Sequence, residues 1–148
     1  MKKLVLATAA ILALAAPAAF AADHAGHGGH GSAAHEEVVD GVKATFTVQT
    51  MADAMKAMDM EMPEGIKETH HVSVAFKDVK SGKALTEGEV KVKVQGPDKA
   101  EQTRDMMGMH GHFGADFDMS KKGKYGVMSK FKLKDGKVRQ AKFWYTVK

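Results

Sequence analysis

Short apolar–polar alternations punctuated by turn signals predict an all-β fold, an immunoglobulin-like antiparallel β-sandwich of 6-7 strands with a short Met-rich helix or loop after the first strand. Two observations carry this. Apolar residues recur at every second position in run after run, the period of a half-buried strand. Turn-forming residues separate those runs, and Asp135-Gly136 between two alternating segments is the strongest of these hairpin signals.

The first segment is not part of that fold. Lys2 and Lys3 precede an apolar stretch from Leu4 to Ala16, and Ala19-Phe20-Ala21 fits a small-x-small cleavage site, so residues 1–21 read as a secretory signal peptide. The stretch is too short for a membrane span, which needs about 20 residues. Residues 22–36 are Gly, Ala and His with little apolar bulk, a flexible tail carrying His24, His27, His30 and His35. The domain proper is expected over 37–148.

Val42, Ala44, Phe46 and Val48 alternate with Lys43, Thr45, Thr47 and Gln49, as a strand should. Thr50 is placed to cap a helix, with Asp53 near its positive end. Met51, Met55, Met58 and Met62 follow on one helical stripe, and Pro63-Glu-Gly65 would end it. Strands are then expected at Val72–Phe76, Val90–Val94, Phe113–Phe117, Tyr125–Leu133 and Val138–Val147. The turns Lys80–Lys83, Gly96-Pro97-Asp98 and Lys121–Lys124 lie between them.

Composition narrows the function. The chain has 22 Lys and Arg against 18 Asp and Glu, and setting aside Lys2 and Lys3 leaves an excess of only +2. The lysines alternate along strands, as on the wet face of a sheet, which makes nucleic acid a poor partner. There is no cysteine, hence no disulfide framework, no thiol catalysis and no blue-copper centre of the His₂Cys kind. No Gly-x-Ser-x-Gly, His-Glu-x-x-His, phosphate loop or dinucleotide fingerprint occurs, so an enzyme is not expected.

What stands out is soft-ligand chemistry: 11 methionines and 8 histidines in 148 residues. Thioether and imidazole favour copper, while methionine is also an ordinary filler of cores. In Met106-Met107-Gly-Met109-His110-Gly-His112, a regular strand would put His110, His112 and Met106 on one face and Met107 and Met109 on the other. Gly108 and Gly111 favour a bulge or loop that would gather both faces. His70 and His71 are adjacent, so a strand through them turns one inward and one outward; either can complete a site or serve as a hydrogen-bonded core residue. Met58, Met60 and Met62 share a side only if that segment is extended, and otherwise the stripe is a buried helix face.

From about Thr69 to Tyr145 the chain resembles the YtkA-like family of small exported domains. The residues carrying this are His70-His71, Asp78-Val-Lys-Ser-Gly-Lys83, Val90-x-Val-x-Val94, Met106-Met-Gly-Met109, His112-Phe-Gly-Ala-Asp116-Phe and Gly123-Lys-Tyr125. The resemblance implies a β-sandwich outside the cytoplasm, near periplasmic copper carriers of CopC type by fold and linked to metal handling. It brings no catalytic residues. A CopC-type N-terminal copper histidine does not carry over, because His24 lies in the Gly-rich tail; nor does an HxM ending, because Gly and Phe follow His110 and His112.

The expectation is therefore a periplasmic or secreted protein binding a copper ion through His110, His112, Met106 and Met109, with His70, His71, Met58, Met60 and Met62 as further candidates. It would pass the metal to an envelope protein. The alternative is an envelope interaction module whose methionines are packing, with Ala141-Lys-Phe143-Trp144-Tyr145 as its contact edge.

Overall fold

Alternation along the chain becomes nine antiparallel strands and one short helix in the computed structural model, which describes residues 33–148. The signal-peptide reading and His24, His27 and His30 lie outside the described residues. The strands are β1 (His35–Val39), β2 (Val42–Thr50), β3 (His70–Asp78), β4 (Ala84–Leu85), β5 (Gly88–Gln95), β6 (Glu101–Met109), β7 (His112–Phe117), β8 (Gly123–Leu133) and β9 (Val138–Val147), with α1 (Met51–Ala57) between β2 and β3. β1 starts at His35, inside the segment expected to be tail.

An all-β fold is what the alternation led one to expect; a sandwich of 6-7 strands is not what forms. The strands make a single sheet in the order β1-β2-β3-β7-β6-β5-β8-β9, with β4 paired to β3. The reason lies in β6. Its first part pairs with β5, Gln95 opposite Glu101 through Val90 opposite Met106, and its last three residues pair with β7, Met107 opposite Gly114 and Met109 opposite His112. One strand thus stitches two walls together, and the sheet wraps nearly into a barrel. The two ends of the strand order also meet, since the His35 ring of β1 stacks on Phe143 of β9 at 5.1 Å between centroids.

Between the walls lies one apolar core. Phe46, Val72, Val74 and Phe113 from one side face Val92, Val94, Val127 and Phe143 from the other, all nearly sealed from solvent. Phe76 meets Phe131 at 4.4 Å and Phe46 meets Phe143 at 5.0 Å. Each fully buried aromatic contributes about 1.5–3 kcal/mol by leaving water, and with no cysteine in the chain this packing carries the stability. Arg139 is buried as well, its guanidinium donating to both carboxylate oxygens of Asp135 (3.1 and 2.7 Å) and to the Asp40 carbonyl (3.2 Å). This clamp ties the β8–β9 hairpin to the β1–β2 turn.

The helix begins where the sequence places it: Thr50 caps it, its Oγ1 accepting from the Asp53 N–H at 3.2 Å. It ends earlier. α1 stops at Ala57, Met58 is the C-cap, and Asp59 takes φ 54. Met51 and Ala54 are buried, but Met58 and Met62 lie beyond the helix, so the four-methionine stripe does not form. No described helix is long and apolar enough to cross a membrane.

Candidate metal site

The candidate site lies on the outward face of β2, β3, β6 and β7. Phe46, Val72, Val74 and Phe113 point into the core, so their alternates Thr47, His71, Ser73 and Gly114 point outward. Register sets these in rows: Gln49, His71 and Asp116 face one another across three strands, and Thr47, Ser73, Gly114 and Met107 across four. Met109 and His112 close the β6–β7 hairpin on the same face.

That hairpin rearranges the heptad from its expected strand. His110 and Gly111 form a two-residue turn with φ 47 and 83, the double positive φ that a tight hairpin requires. The chain reverses there, so His112 joins Met107 and Met109 on one face. Met106 instead points inward, 7% exposed and opposite Val90, as a core residue. His110 is left at the exposed tip. The expected grouping of His110, His112 and Met106 is thus replaced by Met107, Met109 and His112; Met107, 73% exposed, was not among the residues singled out.

β3 separates its two histidines as alternation requires. His70 points inward beside Phe117 and Tyr145, and its Nδ1 pairs with Thr69 Oγ1 at 2.8 Å, which also accepts from the Met119 N–H. Burial lowers its pKa from the ordinary value, offset in part by the charge of Asp118. His70 is a hydrogen-bonded core residue. His71 points outward, and its Nδ1 donates to Asp116 Oδ1 at 2.7 Å. A carboxylate on Nδ1 fixes the tautomer in which Nε2 carries the lone pair, the arrangement of carboxylate–histidine–metal triads.

Gly114 is what opens the face. A Cβ at this position would stand 2.7 Å from both Cε1 and Nε2 of His71 and 3.7 Å from the Met109 methyl. The His71 ring therefore leans over the glycine, with Met109 beside it and His112 next along β7. The ring thus reaches from its own row to the neighbouring one at Gly114 while its Nδ1 keeps Asp116. Gly114 was visible in the sequence as a small residue in a strand, a mark of close approach, but only pairing shows what approaches it.

Among the described residues no three His, Cys, Asp or Glu side chains gather to hold a metal. The same face carries the thioethers of Met107 and Met109, a donor type that favours a soft ion such as Cu(I) over zinc or magnesium. Met58, Met60 and Met62 lie exposed on the segment after α1.

No protein-family model matches the chain, and no curated protein sequence does. Its fold is similar to several solved structures. FetP of uropathogenic Escherichia coli, isolated after expression in the periplasm, aligns with a TM-score of 0.59 at 14% identity over 78% of this chain and 93% of that one. A copper-bound variant of the same FetP aligns at 0.60 and 12%, over 77% and 89%. A copper-bound variant of Campylobacter jejuni P19 aligns at 0.54 and 11%, over 78% and 95%. At such identities the likeness is one of fold.

Proposed function

We propose that this protein is an exported, periplasmic copper carrier that holds Cu(I) between His71 Nε2, Met109 and His112, with Met107 within reach at the rim. One observation carries the reading: a histidine oriented through Nδ1 by Asp116 lies over a glycine that leaves room for it, next to a methionine. That two of the similar structures contain copper, and that FetP was prepared from the periplasm, support it.

The donor set explains hand-over. Two imidazoles with one or two thioethers bind Cu(I) without thiolate charge, so an incoming partner ligand can displace them one at a time. Met107, the most exposed of the set, is where exchange would start. The protein acts by reversible ligation, with no substrate chemistry of its own, and a receiving envelope protein is the natural partner.

The test is a Cu(I) competition titration on the mature chain with His24, His27 and His30 replaced by alanine. Substitution is preferable to truncation through residue 36, which would remove His35 from its stack on Phe143. One equivalent lost on His71→Ala or His112→Ala, but not on His110→Ala, supports this site. Binding that survives both variants overturns it, and this sheet face then reads as an interaction surface.

A further inference from the structure

The segment after α1 presents a second group of sulfur atoms. Met58, Met60 and Met62 are 43%, 55% and 46% exposed, whereas Met51, at the start of the same methionine series, is 2% exposed. The difference is one of backbone. The helix that buries Met51 ends at Ala57, and the chain runs irregularly from Met58 until β3 begins. Packing thus accounts for Met51 and leaves three consecutive alternate thioethers in water.

Asp59 takes φ 54, and Met60 donates its N–H back to the Met55 carbonyl at 2.9 Å, the left-handed cap that ends α1 and turns the chain off the helix. Pro63 disfavours the helical region for Met62 and so opposes any continuation of the helix. Asp59, Glu61 and Glu64 are interleaved with the methionines, and none of them enters an ion pair among the described residues. Unpaired carboxylates beside neutral donors give the segment a negative potential that draws cations.

We infer that Met58, Met60 and Met62 form a second metal site, a thioether-only seat for Cu(I), separate from the histidine-bearing face. Three thioethers lose no proton on binding and offer nothing to zinc or Cu(II), which prefer nitrogen and oxygen. The segment leads along the chain into β3, the strand that carries His71, and on this inference it serves as an entry or exit point for the same cargo. This last role rests on the copper reading above; the site itself uses none of the same residues.

The experiment uses the mature chain carrying the His24, His27 and His30 alanine substitutions, labelled with ¹³C at the methionine methyls and titrated with Ag(I) as an air-stable surrogate. The methyl signals of Met58, Met60 and Met62 should shift together and saturate at one equivalent, with zinc producing no shift. In Cu(I) competition, Met58→Leu/Met60→Leu/Met62→Leu should lose one equivalent and keep the one sensitive to His71→Ala. Leucine nearly conserves volume and these positions are exposed, so an unchanged melting curve confirms folding. Three methyl signals unmoved by excess Ag(I), or full Cu(I) stoichiometry in the triple variant, overturns the proposal; an apolar contact surface is then the better account of these residues. If no equivalent is lost on His71→Ala while the triple variant still loses one, the carrier site fails and this one stands.

Discussion

The two walls of this protein follow one alternation and put it to different use. On β8 and β9 the outward residues include Lys124, Lys130, Lys132, Gln140 and Lys142, which are exposed, with Trp144 lying over Gly126 between two lysine ammonium groups at 4.9 and 5.0 Å. On β2, β3 and β7 the outward residues include Thr47, Gln49, His71 and Ser73, and these are buried. Polar groups withdrawn from water cost roughly 1–3 kcal/mol each unless paired. A solvated lysine face needs no such compensation. The second wall therefore keeps polar groups where stability alone would not ask for them, and that is the wall carrying the oriented histidine.

The largest effect is expected where the walls are joined. Phe131→Ala should cost about 3–5 kcal/mol in urea unfolding, because the ring is sealed and packed against Phe76 from the opposite wall. A loss under about 1 kcal/mol would mean the walls do not share a core.

Two glycines sharpen the comparison most directly. A Cβ at Gly114 would meet the His71 ring at 2.7 Å, and one at Gly126 would meet Trp144 at 3.1 Å. Gly114→Ala should weaken Cu(I) binding by roughly 10- to 100-fold, the range seen when a ligating histidine loses its supporting group, and Asp116→Asn should fall in the same range. Gly126→Ala should leave Cu(I) affinity unchanged and alter only Trp144 fluorescence. Equal effects of the two glycine variants on copper would erase the distinction between the walls.

Acid should loosen the molecule at its Arg139 clamp. Hydrogen bonding from Arg139 lowers the Asp135 pKa from 3.8 to about 2. A depressed carboxylate pKa stabilises the fold fully above its unfolded value and loses that contribution as pH falls from 3.8 through about 2. Stability measured across that window should drop, and Asp135→Asn should be less stable at neutral pH with a flatter acid profile. The smallest effect belongs to the lysine wall: Lys130→Gln should change stability by no more than about 0.5 kcal/mol.

Much of the fold could be read from local pattern. Val90, Val92 and Val94, the Asp135-Gly136 turn and the Thr50 cap each depend on neighbours a few residues away, and each appears where expected. β6 escaped because Glu101-Gln-Thr-Arg-Asp105 has no apolar alternation; it is a strand only because β5 and later β7 supply partners. β1 escaped because His35 reads as the end of a histidine tail, although its ring is packed on Phe143. In the site, His71, Met109 and His112 were among the candidates. Their grouping was hidden because it depends on a turn at His110-Gly111 that reverses which side His112 faces.

The sequence by itself determined that this chain is β-rich, free of thiols, and supplied with imidazole and thioether in a few stretches, because composition and alternation are local properties. Tertiary structure decided which of those donors meet. It sent Met106 and His70 into the core, left His110 at a hairpin tip, ended the helix before Met58, and brought the His71 ring over Gly114. The approach of His71 to Gly114 depends on pairing between strands more than forty positions apart, and a register shift of one residue there would turn the paired side chains to the other face.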